Sequence, residues 1–107
     1  MRLRRDGRAT DYLAQDERVI QNPQELKGRW KEHFGNDNPI HVEFGCGKGG
    51  FITQLALRNP HINYIAAERA ETVVYKACKK ANAIEEQPDN LLFYSNYNTL
   101  PLIYIRA

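Results

Sequence analysis

From residue 40 onward the chain switches repeatedly between two periodicities. Ile40-His41-Val42-Glu43-Phe44 alternates apolar and polar positions and runs into Gly45, which reads as a half-buried strand ending in a tight turn. After a run of glycines, Phe51, Ile52, Leu55 and Ala56 recur at helical spacing, and Asn59-Pro60 ends that helix. Asn63-Tyr64-Ile65-Ala66-Ala67 forms a second strand that ends at Glu68. Val73, Val74, Ala77, Cys78, Ala81 and Ile84 mark a second helix, with Lys76, Lys79 and Lys80 on its wet side. Gln87-Pro88-Asp89 breaks that helix before a third strand, Leu91-Leu92-Phe93-Tyr94. The order β-α-β-α-β predicts an α/β fold with a parallel sheet and right-handed crossovers. Leu102-Ile103-Tyr104-Ile105 offers a short fourth strand or a terminal run of different origin.

Upstream the patterning is sparser. Pro23 suits the first turn of a helix, Leu26, Trp30 and Phe34 follow at i, i+4 and i+8, and Gly35 supplies a stop. This predicts an amphipathic helix over 24–34, packed beside the sheet, with Asn36-Asp37-Asn38-Pro39 as a turn. Residues 1–22 alternate charge with few apolar positions and read as a basic N-terminal arm ahead of a single domain over 23–107. Arg2, Arg4, Arg5 and Arg8 outweigh Asp6 by +3, more than the +2 net charge of all 107 residues. Such an arm can neutralise phosphates at long range, or it can be a solvated terminus.

Composition narrows the class. With 42% hydrophobic and 26% charged residues the chain has the balance of a globular domain rather than a disordered one. No apolar run approaches the ~20 residues that a bilayer requires, and no apolar stretch follows the basic start, so neither a membrane span nor a secretory signal is expected. Cys46 and Cys78 form no CxxC pair and read as free thiols in a reducing cytoplasm. His33, His41 and His61 are scattered and lack zinc-ligand spacing, so no metal is expected.

The candidate chemistry is concentrated in Glu43-Phe44-Gly45-Cys46-Gly47-Lys48-Gly49-Gly50. Glycines where a strand becomes a helix allow positive φ and close approach of a ligand, and the helix start offers unpaired N–H groups. Gly45-x-Gly47-x-x-Gly50 also satisfies the dinucleotide pattern, with Glu68 placed to bind a ribose diol, so the glycines alone leave NAD open. Glu43 bears on the choice. A carboxylate two residues before the first glycine would repel a pyrophosphate and would suit a cationic ligand. S-adenosylmethionine carries an α-ammonium and a sulfonium, and no phosphate. Glu68 can then accept hydrogen bonds from both ribose hydroxyls.

The stretches Ile40 to Phe51 and Asn59 to Glu68, with the opening Met1-Arg2-Leu3-Arg4-Arg5 and Phe34-Gly35-Asn36-Asp37-Asn38-Pro39, closely resemble the bacterial tRNA (guanine-N7)-methyltransferases. The resemblance covers nearly the whole chain to about Leu100. It implies a Rossmann-like S-adenosylmethionine-dependent methyltransferase fold, here cut off after about three parallel strands. It implies that Glu43, Gly45, Gly47 and Gly49 hold the methionine side of the cofactor and Glu68 the ribose. Asn96 best matches the family's residue beside the adenine, with Asn98 as the alternative alignment. By the same resemblance Arg2, Arg4, Arg5 and Arg8 contact the tRNA backbone. The family continues to an Asp-Pro-Trp-Pro-Lys-type segment that helps place the target guanine. Here the only tryptophan is Trp30 and no Asp-Pro occurs, so the chain matches the cofactor half of such an enzyme and no catalytic residue is nominated. A fragment that binds cofactor or RNA without catalysis is the alternative, followed by an NAD-binding domain. In the family's sheet the first strand is central, which implies an open edge here, and with it either a truncated product or a homodimer that pairs this edge with a second copy.

Overall fold

The structure is a computed structural model and describes residues 7–45 and 50–95. Three strands, β1 (Ile40–Phe44), β2 (Asn63–Glu68) and β3 (Leu91–Ser95), form a parallel sheet in the order β1-β2-β3. The crossovers are α3 (Gly50–Arg58) between β1 and β2, and α4 (Glu71–Ala83) between β2 and β3. The β-α-β-α-β reading therefore holds within a residue or two at each boundary, and Leu102 to Ile105 lie outside the described residues.

Burial explains why the central strand carries an unbroken apolar run. β2 has a neighbour on each side and helical cover on both faces, and Asn63 through Ala67 are all buried. On one face Tyr64, Ala66, Leu91 and Phe93 pack against Leu13, Ile52, Ala56, Val74, Ala77, Cys78 and Ala81. On the other, Ile65, Ala67 and Tyr94 pack against Ile20 and Trp30. β1 has one neighbour among the described residues and is correspondingly more exposed.

Two expectations are corrected. The helix expected over 24–34 is broken into a 3-10 turn, Pro23–Leu26, and a short helix α2, Trp30–Phe34. Gly28 lies between them at φ +76°, in the left-handed region, so the chain turns where one helix would have continued. The apolar spacing still does its work, because Leu26, Trp30 and Phe34 all reach the same cluster. Gly35 ends α2 at φ +79°, with its N–H bonded to the Lys31 carbonyl at 2.8 Å, as expected of a stop.

The second correction concerns the arm. From Gly7 onward the segment read as an arm is part of the packed body. α1 (Gly7–Gln15) buries Ala9 and Leu13, and the strand-like residues Val19 and Ile20 join the sheet beside β3. Ile20 N–H donates to Phe93 O at 2.8 Å and Phe93 N–H to Arg18 O at 2.7 Å. Arg18 locks this arrangement by donating to Asn82 Oδ1 at 3.0 Å, to Leu91 O at 2.9 Å and to Pro88 O. Residues 1–6 lie outside the described residues.

Candidate cofactor-binding site

The C-terminal ends of parallel strands open onto the crevice where such sheets bind ligands. The register fixes what stands there. Glu43 is level with Ala66, and Glu68 is level with Ser95. Because side chains alternate along a strand, Glu43, Glu68 and Ser95 share the face that carries Tyr64, Ala66 and Phe93, the face covered by α3 and α4. Two carboxylates and a hydroxyl thus line one end of the sheet.

Gly45 makes the turn off β1. Its φ is +72°, and its N–H remains tied to the Ala67 carbonyl at 2.8 Å, so the strand pairs up to the point where the chain leaves it. A Cβ at Gly45 would stand 4.0 Å from Glu68 Oε2. The bare glycine keeps the space in front of that carboxylate open. Glu68 Oε1 accepts the Arg69 N–H at 2.8 Å, which fixes one carboxylate oxygen and leaves Oε2 turned toward Gly45. Glu43 is exposed and has no hydrogen-bond or ion-pair partner among the described residues. This pair of acceptor carboxylates suits a ligand bearing hydroxyls and a positive charge.

Of the residues expected to bind cofactor, the structure brings Glu43, Gly45 and Glu68 together. Gly47, Gly49 and Asn96, with the alternative Asn98, lie outside the described residues, as do Arg2, Arg4 and Arg5. Arg8 is exposed in the first turn of α1.

Sequence reasoning missed two residues near the site. Ser95 shares the strand-end row with Glu68, and only the β2–β3 register reveals it. Lys80, read as a wet-side lysine, brings its Nζ to 3.9 Å from where a Cβ of Gly50 would stand, at the start of α3. That proximity depends on how α3 and α4 pack, which no spacing in the sequence encodes. Among the described residues no group of three His, Cys, Asp or Glu gathers to hold a metal, and no helix is long and apolar enough to cross a membrane.

Comparison with known proteins bears on the family and the fold. A family model described as "Putative methyltransferase" matches residues 37–103. The tRNA (guanine-N(7)-)-methyltransferase of Lachnoclostridium phytofermentans is 48% identical over 93 residues, covering 87% of this chain and 42% of the relative. That of Bacillus licheniformis is 44% identical over 105 residues, covering 97% of this chain and 49% of the relative. The chain thus spans less than half the length of these curated relatives. A solved structure of an antibiotic-related methyltransferase superposes with a TM-score of 0.58 at 23% identity, covering 79% of this chain and 42% of that one, and bears on the fold alone. The Rossmann-like α/β fold and the sequence relatives lead to one assignment: the chain belongs to this methyltransferase family, whose chemistry implies a methyl donor.

Proposed function

We propose that the chain is the cofactor-binding part of a cytoplasmic S-adenosylmethionine-dependent methyltransferase acting on N7 of a guanine in tRNA. The observation that carries the cofactor is the pair of strand-end carboxylates around the Gly45 turn, with Glu68 Oε2 facing the space a side chain at Gly45 would fill. The substrate reading rests on the printed activity of the relatives.

When bound, S-adenosylmethionine supplies a methyl group on a sulfonium sulfur. In this reading Glu43 offers a negative charge to the ammonium and sulfonium side, and Gly45, Gly47 and Gly49 let the backbone approach it. Glu68 accepts from both ribose hydroxyls, and Asn96 lies beside the adenine. Arg2, Arg4, Arg5 and Arg8 neutralise tRNA phosphates. Guanine N7 is a ring lone pair that needs no deprotonation before attack, so alignment carries most of the catalysis and no general base is required. A residue set that binds and orients is consistent with that chemistry.

Calorimetric titration with S-adenosylhomocysteine and with NAD tests the cofactor. Heat with the former only is expected, and heat with NAD only overturns the reading. Incorporation of labelled methyl into guanine of tRNA tests the transfer. Binding without incorporation by the folded chain would leave the alternative of a cofactor-binding fragment.

A further inference from the structure

The two sides of α4 differ sharply in chemistry. Val74, Ala77, Cys78 and Ala81 are buried in the core cluster over the sheet. Lys76, Lys79 and Lys80 stand on the opposite side, exposed, at i, i+3 and i+4. A solvated helix face gains from carboxylates three or four residues away from its lysines. Here every such position holds a neutral residue or another of the three lysines. Lys76 and Lys80 are thus a like-charge pair one turn apart, an arrangement that weakens a helix. Glu71, the one carboxylate of α4, lies in the first turn and accepts a hydrogen bond from Thr10 Oγ1. Among the described residues none of the three ammoniums has a hydrogen bond or an ion pair. This single stripe carries more positive charge than the +2 net charge of the whole chain.

Two of the ammoniums are placed by their neighbours. Lys79 Nζ lies 4.8 Å from the centre of the Tyr75 ring, and Tyr12 holds that ring edge-on at 5.2 Å. Lys80 Nζ comes to 3.9 Å from where a Cβ of Gly50 would stand, so the stripe extends toward the positive end of α3. α1 runs alongside α4 in the same direction, since Thr10 meets Glu71 at its start and Asp16 meets Asn82 at its end. Arg8, in the first turn of α1, therefore stands at the end of α4 that follows Glu68. We propose that Lys76, Lys79 and Lys80 form a second contact for the phosphate backbone of the RNA, on the sheet face that also carries Glu43 and Glu68. The inference rests on the tRNA reading of the proposed function and adds to it a surface on the folded body, apart from the basic N-terminal residues. Phosphates along a strand relieve the repulsion within the stripe, and compact ammonium charges suit backbone phosphates better than base edges.

Fluorescence anisotropy of labelled tRNA, titrated with the full chain over a range of salt concentrations, tests the stripe. Lys76→Gln, Lys79→Gln and Lys80→Gln combined remove three phosphate contacts. Affinity at about 0.1 M salt is expected to fall about tenfold or more, and the slope of log K against log salt to shrink by about 2–3. Lys76→Gln alone is expected to lower that slope by about 1. A control variant removes the same charge around α2, on the other face of the sheet, by Lys27→Gln, Arg29→Gln and Lys31→Gln. Its slope is expected to stay near that of the parent, because distant charges are screened. Circular dichroism checks that each variant is folded. Parental affinity in the folded stripe variant, or an equal loss in the control, overturns the stripe and leaves the substrate reading standing. A parent chain that binds no tRNA overturns both.

Discussion

Gly45 and Gly50 flank the candidate loop, and the same substitution is expected to act on them in opposite directions. Gly45 sits at φ +72°, so Gly45→Ala forces a side chain into the left-handed region. The new Cβ would stand 4.0 Å from Glu68 Oε2, an ordinary contact, so backbone strain is the only penalty. That strain costs about 1–2 kcal/mol, offset by the lower entropy of the unfolded alanine chain, for a net loss of about 1 kcal/mol. Gly50 opens α3 without a positive φ, and its Cβ would lie 3.9 Å from Lys80 Nζ, again an ordinary contact. Gly50→Ala therefore keeps the entropic gain and stabilises by about 0.4–1 kcal/mol. Urea denaturation followed by circular dichroism measures both, with unchanged m-values expected. A Gly45→Ala variant as stable as the parent, or two variants shifting in the same direction, would refute the reasoning from φ.

Asn90 is buried, and its Nδ2 donates to Ala56 O at 2.9 Å, Asn59 O at 3.0 Å and Ile62 O at 2.8 Å, closing the end of α3 onto the start of β2. Asn90→Ala leaves those carbonyls short of donors and is expected to cost about 3 kcal/mol. Asn90→Asp costs at least as much, because a carboxylate cannot donate to them, and thermal unfolding of the two variants checks the order. Burial, with Asp16 adding to it, pushes the Cys78 thiol from 9.0 up to about 12. The folded chain then keeps a proton that the unfolded chain loses, so stability falls as pH rises from 9.0 toward about 12. Cys78→Ala flattens that part of the urea-midpoint profile, and an unchanged slope would contradict this origin.

The sequence was most legible where one periodicity governs an element. Alternation in β1 and the apolar run of β2 report directly how each strand is buried, and their ends place Glu43, Gly45 and Glu68 correctly. The spacing of Leu26, Trp30 and Phe34 identified the right inward face and hid the break at Gly28, because one glycine barely disturbs a periodic pattern yet permits a reversal of φ. The segment from Gly7 was misread for a different reason. Its anchors, Ala9, Leu13, Val19 and Ile20, are few and split between a helix and a bridge to β3. What ties them down is polar, from Arg18 to the carbonyls of Pro88 and Leu91, contacts across some seventy residues that no local spacing encodes. Ser95 and Lys80 reach the site through strand register and helix packing, both long-range properties.

The proposed adenosyl-cofactor site lies at the strand ends of β1 and β2. Calorimetric titration of S-adenosylhomocysteine into the parent chain and into Glu68→Gln tests it most directly. Glu68 Oε2 faces the Gly45 turn, and hydrogen bonds to a charged group contribute about 1.5–3 kcal/mol, so the variant should bind about 10–100-fold more weakly while remaining folded. Equal affinity in parent and variant would contradict the account.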